Sequence, residues 1–441
     1  MAYTQEAGPL VGTGSIDNPK QGTSISLSAD GNTLVVGGSF DDTDPVTGAG
    51  IGAAWVFTRS GGTWTQQGSK LVGAGYIGTP GQGFSVAISG DGNTLAIGGP
   101  IDDTAPSGYT GIGATWIFTR SAGTWTQQGS KLVGAGYVDG PAGVSQGSSI
   151  SLSDDGNTLA VGGYNDNSGI GATWIFTRSG GVWTQQGSKL VGTGYSIPGS
   201  SWQGISVALS ANGDTLVVGG PLTNTSTGGT WVFTRSGGVW TQQGSKLVGT
   251  GYSPSPFGPG TPNQGDAVAV SADGDTLATS GPQEPGGTAW VFTRSGGVWT
   301  QQGSKLLPND NTGPAVFGYS LSLNSNGDIL ALGGPYDNED PGTLYAIGAT
   351  WIFTRSGGTW TQQGSKLVGT GYSTASSVFQ GWSVALSSDG STLAPGALAN
   401  DNNIGAFWVF SSGATPTTTT TTAGPGTTTT TTAGPGTTTT T

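Results

Sequence analysis

The chain has 441 residues, of which 33% are hydrophobic and 85 are glycine, and it carries a net charge of −12 with neither cysteine nor histidine. Those absences exclude disulfides, thiolate nucleophiles, Cys/His metal sites and the imidazole base, and because every basic residue except Lys20 lies in one repeated phrase, they are joined by the absence of a clustered basic surface for nucleic acid. Fifteen Trp, 13 Phe and 11 Tyr nevertheless supply a core, so the composition predicts a folded, turn-rich β protein that is not an enzyme.

The opening MAYTQEAGPL has neither the basic nor the apolar region of a secretory leader, and no later stretch reaches the ~18 apolar residues of a membrane span. Ala2 to Gly14, AYTQEAGPLVGTG, matches a phrase found later, TWTQQGSKLVGTG, and is read as a strand. From there the chain repeats itself. Trp55, Trp116, Trp174, Trp231, Trp290, Trp351 and Trp408 recur at intervals of 57 to 61 residues, which makes seven repeats. The second repeat shows the unit: FSVAISG from Phe84, NTLAIGGP from Asn93, GATWIFTR from Gly113 and TWTQQGSKL from Thr124. Each piece is rich in Val, Ile, Thr and aromatics, and Gly, Asp, Asn and Ser collect between them, as strands and turns require.

Within the units, Gly61-Gly62 and Asp91-Gly92 supply the positive φ that tight hairpins need. Arg59, Arg120, Arg178, Arg235, Arg294 and Arg355 each precede such a turn with a Trp five residues on, so each faces that Trp across the hairpin in a structural cation-π pair. The last repeat stops at FWVFSSG, Phe407 to Gly413, without its fourth strand, and Ala2 to Gly14 supplies it. A β-solenoid is the rival architecture, but only a closed ring needs its two ends to share one unit. The fold is therefore expected to be all-β: a seven-bladed β-propeller of four-stranded antiparallel blades over residues 1–412, closed by the N-terminal strand, with a tail over 413–441.

QGFSVAISGDGNTLAIGGP, Gln82 to Pro100, resembles the FG-GAP repeat of integrin-α-type propellers, with FG literal at Phe317-Gly318 and GAP echoed at Gly98-Gly99-Pro100, Gly219-Gly220-Pro221 and Gly333-Gly334-Pro335. The resemblance covers roughly residues 2–412 and implies extracellular recognition, adhesion or scaffolding. Many repeats of that family carry a calcium loop, whereas the matching turn here, Ala29-Asp30-Gly31-Asn32, has one carboxylate. The loop after the second strand is more acidic, at Asp41, Asp42, Asp102, Asp103, Asp337 and Asp340, and calcium there is set against a solvated acidic loop, the preferred reading. No catalytic residue and no cofactor are assigned. A sialidase-like reading fails because the six arginines are dispersed one per blade instead of converging.

The tail departs from the blade pattern: ATPTTTTTTAGPGTTTTTTAGPGTTTTT is the composition of an O-glycosylated, mucin-like stalk, set against a flexible polar linker. The acceptors would be Thr415, Thr417, Thr418, Thr419, Thr420, Thr421, Thr422, Thr427, Thr428, Thr429, Thr430, Thr431, Thr432, Thr437, Thr438, Thr439, Thr440 and Thr441, with the backbone extended as a rod. Strand direction places both propeller ends on the face with uniform turns, opposite the face with variable loops. Together these features predict an extracellular structural protein that assembles with copies of itself into a surface fibre or coat. The alternative is an adhesin or lectin-like module that binds through the variable face, and a propeller hydrolase is the weaker third reading.

Overall fold

In each repeat the second strand is buried along its length, as in Thr33–Gly38, Thr94–Gly99 and Thr158–Gly163. A run of Leu, Val, Ile and Ala that ends in glycines has no polar face for water, so it must be covered on both sides. Each sheet obtains that cover by standing between two others. The computed structural model describes residues 2–43, 48–103, 111–195, 199–252, 262–338 and 345–412, with the backbone of 420–423 and 427–430. Seven four-stranded antiparallel sheets form a ring. The first consists of Ser24–Leu27, Thr33–Gly38, Ala53–Ser60 and Thr63–Gln66, in that order from axis to rim.

Closure follows the expected route. Ser383–Leu386, Thr392–Ala397 and Ala406–Ser411 take Thr4–Leu10 as the outermost strand of the seventh blade, with Thr4 opposite Ser411 and Leu10 opposite Phe407. Around the axis, backbone N–H groups donate from blade to blade: Ala29 to Gly90, Gly90 to Asp154, Asp154 to Ala211, Ala211 to Ala272, Ala272 to Ser325, Ser325 to Ser388 and Ser388 to Ala29, at 2.9–3.1 Å. This belt returns to its starting residue, which a solenoid does not allow.

The seams between blades explain the repeated letters. Trp116 is fully buried and its indole N–H donates to the Ala74 carbonyl at 2.9 Å. Gly73 lies against the ring so closely that a Cβ there would come within 2.1 Å of Trp116 Cδ1. The buried side chain of Gln82 grips the same glycine, Oε1 accepting from its N–H at 2.6 Å and Nε2 donating to its carbonyl at 2.9 Å. A buried amide is tolerated only when both its ends are satisfied, as here. The clasp recurs at Gly12, Gly134, Gly192, Gly249 and Gly369. Blade six alone departs: Pro308 takes the glycine's place, Phe317 takes the glutamine's, and Phe317 packs edge-on to Trp351 at 5.4 Å.

At the rim, Gly61 and Gly62 turn with φ of 57° and 77°, and Arg59 pairs with Trp64 across the hairpin. All six Arg–Trp pairs stack with the guanidinium carbon 5.3–5.6 Å from the ring centroid. Arg120 also donates to Gln67 Oε1 of the preceding blade at 3.2 Å, so beyond the expected stacking the arginines tie seams. Ser412 N–H donates to Ser391 O and the Tyr3 hydroxyl donates to Gly390 O, both in a first-to-second strand turn, which puts both propeller ends on the uniform face. Beyond it the backbone corrects the extended rod: Thr420–Ala423 pairs antiparallel with Thr427–Thr430, a pairing that β-branched threonine favours.

Candidate functional site: an aromatic crescent on the variable face

On the variable face the chain enters each inner strand through a left-handed residue. The seven are Lys20, Gly81, Ser145, Trp202, Asn263, Val316 and Phe379, with φ between 51° and 67°. Glycine and asparagine suit this conformation, whereas Val316, Trp202 and Phe379 each cost ~1–3 kcal/mol there. Three residues further on stand Thr23, Phe84, Ser148, Ile205, Asp266, Tyr319 and Trp382.

At blades five to seven these positions converge. The Tyr319 ring lies 4.5 Å from Trp382, Trp382 lies 6.4 Å from Phe379, and Phe379 lies 5.2 Å from Tyr336, centroid to centroid. The four rings form a continuous crescent, partly open to solvent, and none belongs to a blade core, unlike Tyr76, Tyr137, Tyr195 and Tyr372. Asp266 stands beside Tyr319. Burial pushes its carboxyl up to about 6, and among the described residues it has neither an ion pair nor a side-chain hydrogen bond. Burial, then the charge of Asp266, then Tyr336 push the Tyr319 hydroxyl well above its ordinary value. A smaller pair, Tyr164 and Trp202 at 5.3 Å, lies between blades three and four, and Lys20 Nζ sits 3.8 Å over Phe40 in blade one.

The acidic residues singled out in the sequence lie elsewhere. Asp41, Asp102 and Asp337 are buried and pair with Lys70, Lys131 and Lys366, while each also accepts a backbone N–H, from Ile16 at 2.7 Å, Ile77 at 2.8 Å and Thr312 at 2.6 Å. Both oxygens of each carboxylate are thereby engaged in holding loops. Asp166–Lys189 and Glu284–Lys305 repeat the pair. Asp42 and Asp103 are exposed, with φ of 54° and 59°, and are not drawn toward their buried neighbours' lysines. Asp340 lies outside the described residues. Asp30 accepts from Ser28 Oγ at 2.6 Å and Asn32 N–H at 2.9 Å, which locks the turn. Blade four breaks the series: Thr223 replaces the acid, and Lys246 Nζ is buried without a hydrogen-bond partner among the described residues. Of the tail threonines, Thr415, Thr417 to Thr419, Thr431, Thr432 and Thr437 to Thr441 lie outside the described residues.

The axis itself offers less. On the uniform face a cavity of about 150 Å³ is lined by Leu27, Ile88, Leu209, Val270, Leu323 and Leu386, below the ~300–1,000 Å³ of small-molecule sites. The sequence carried one unused signal for the crescent: thirteen of the 15 tryptophans fall on two repeat positions, and the two that do not are Trp202 and Trp382.

No family model matches the chain, and no curated protein sequence matches it. Solved structures do. Hydrazine synthase of Kuenenia stuttgartiensis aligns with a TM-score of 0.52 and 13% identity over 91% of this chain and 97% of that one. A Bacteroides uniformis protein provisionally identified as a 6-phosphogluconolactonase aligns with a TM-score of 0.52 and 14% identity over 81% and 88%. At such identity the likeness speaks to the fold alone. It still corrects the expectation that this chain is not an enzyme, because the architecture is shared with proteins named as enzymes. Absent histidine does not mean absent acid–base chemistry: a carboxyl raised to about 6, as at Asp266, titrates where imidazole does.

Proposed function

We propose that this chain is an extracellular recognition propeller of FG-GAP type, which engages a ligand on its variable face and carries a glycosylated threonine-rich tail on the opposite side. The observation that carries the reading is the crescent of Tyr319, Trp382, Phe379 and Tyr336, with Phe379 held in a left-handed backbone that an aromatic residue adopts at a cost. Strain of this kind persists where the side chain has a task. The tail leaves from the uniform face, so it can tether the ring without covering the crescent.

The test uses the lack of cysteine. Ala375→Cys on the variable face and Ser60→Cys on the uniform face are each coupled to polyethylene glycol, and retention is measured on immobilised polysaccharides, gelatin, polylysine and phosphatidylcholine vesicles. Retention on at least one surface, lost with the Ala375 adduct and kept with the Ser60 adduct, is expected. Retention on none, or retention blind to the Ala375 adduct, overturns the reading.

Self-assembly into a fibre or coat is a second reading, favoured by Val182, Val239 and Val298, which are 63–64% exposed at matching rim positions of three consecutive blades. Blades one, two and six carry Thr63, Thr124 and Thr359 there. Filaments of native protein in negative stain, reduced to single rings by Val→Thr at all three sites, support it; single rings from the start refute it.

A further inference from the structure

We propose that the crescent formed by Tyr319, Trp382, Phe379 and Tyr336, with Asp266 at its end, is a binding platform for the pyranose rings of an uncharged saccharide. This deepens the recognition reading and rests on it. Three ligand classes fit aromatic rings beside a carboxyl: a quaternary or methylated ammonium, an anionic sugar and a neutral sugar. An ammonium cage needs several ring faces within about 6 Å of one empty point. Here the rings lean on one another in series, 4.5, 6.4 and 5.2 Å apart and tilted 46–56°, which fills the space a cation would take. Each of the four rings keeps part of its surface open to solvent, so together they offer a row of aromatic surfaces. The C–H groups on one face of a pyranose carry partial positive charge and suit the negative face of an aromatic ring.

Charge decides between the two sugars. The chain is at −12, and Asp266 adds a carboxylate at the site with no cation paired to it among the described residues, so an anionic saccharide is repelled. The same carboxyl, with the Tyr319 and Tyr336 hydroxyls, provides acceptors and donors for sugar hydroxyl groups at the platform's edge. A platform of several rings in a row matches a chain of sugar units better than a single one. Trp202 with Tyr164, two to three blades away, is a separate ring pair and serves as an internal control.

Affinity electrophoresis at neutral pH through gels holding dextran, galactomannan, xyloglucan, laminarin or, as the anionic control, alginate tests the proposal on the full chain. Retardation by at least one neutral polysaccharide is expected. Trp382→Ala should weaken it about tenfold or more, Trp382→Phe should retain part, and Trp202→Ala should leave it unchanged. Melting temperature and near-UV circular dichroism establish that each variant is folded. Retardation by none of the neutral polysaccharides, retardation by alginate alone, or a folded Trp382→Ala that migrates like the parent overturns the proposal, as does saturable quenching of Trp382 fluorescence by choline without polysaccharide binding. If none binds while gelatin or vesicle retention is still blocked by the Ala375 adduct, the recognition reading stands and the saccharide assignment falls.

Discussion

Asp266 should weaken the protein at neutral pH, and replacing it should reveal by how much. Burial raises its carboxyl from 3.8 to about 6. Between about pH 4 and 6 the folded state therefore holds a proton that the unfolded chain has released, and stability falls as pH rises through that window. At ~1.36 kcal/mol per pH unit the two units lost amount to about 3 kcal/mol at pH 7, a ceiling because the side chain keeps some access to water. Asp266→Asn has nearly the same shape and no proton to lose. Urea unfolding followed by tryptophan fluorescence, in steps from about pH 4 to pH 8, should show the variant level with the parent at the acid end and more stable by up to ~3 kcal/mol at the neutral end. The same variant should bind the polysaccharide that retards the parent less tightly, since it loses an acceptor. A variant less stable than the parent at pH 7, or a gap that does not close toward pH 4, would refute the account of Asp266 as an unpaired, partly buried carboxyl retained for its surface task.

Other outcomes follow from the seams and the tail. Thr223→Asp gives the buried Lys246 amine the carboxylate that Asp41, Asp102 and Asp337 provide in their own blades, and it should raise stability by ~1–3 kcal/mol, read as a higher urea midpoint; no gain would show that Lys246 is already satisfied. Deleting residues 2–14 removes the Thr4–Leu10 strand, the Gly12 clasp on Gln21 and the Glu6–Arg59 bridge at 2.9 Å together, so a fall in melting temperature of many degrees is expected, and an unchanged value would mean the ring does not depend on that strand. Intact-mass measurement of natively purified protein should give a heterogeneous excess over the 43.7 kDa polypeptide confined to the tail peptide, and a mass equal to the polypeptide would remove the glycans.

The features legible in the sequence were those that recur. Trp116, Gly73 and Gln82 each stand for a column of residues, and a column shows both the strand it belongs to and the neighbour it must meet. Ring closure was legible because Ala2 to Gly14 filled a gap in one such column. Asp41, Asp102 and Asp337 resemble calcium ligands in the sequence because carboxylates in a loop look alike before their partners are placed. Lys70, Lys131 and Lys366 lie 29 residues downstream, in the same repeat, and only the folded blade brings them under the loop. The crescent was harder still. Tyr319 and Trp382 are 63 residues apart, and nothing local marks them as neighbours. Their column, read down the seven repeats, runs Thr, Phe, Ser, Ile, Asp, Tyr, Trp, and the last three meet because consecutive blades stand side by side.

Blade six shows how scaffold and site are connected. There the repeat gives up its most regular device: Pro308 removes the flat glycine, Phe317 removes the glutamine clasp, and the Trp351 indole N–H, having lost the usual backbone carbonyl, donates to Asp310 Oδ1 at 2.8 Å instead. Phe317 is completely buried and packs on both Trp351 and Phe353, at 5.4 and 5.9 Å. It is followed two residues later by Tyr319, whose N–H donates to the carbonyl of the left-handed Val316 at 3.2 Å. The changes in the core and the Tyr319 end of the crescent therefore share one twelve-residue stretch, 308–319: an aromatic anchor below replaces an amide clasp, while one ring of the platform stands above. Elsewhere in the ring the glycine–glutamine clasp is kept, at Gly369 beside Phe379 and Trp382 as well, and among the described residues no other seam carries a comparable row of rings. A site imposed on a finished scaffold would leave the core letters alone. Their departure beside the crescent is what a seam rebuilt to support it would produce, and Phe317→Gln with Pro308→Gly, which restores the repeated clasp, should preserve the fold while shifting Tyr319 and lowering saccharide retention without any change to a ring of the crescent.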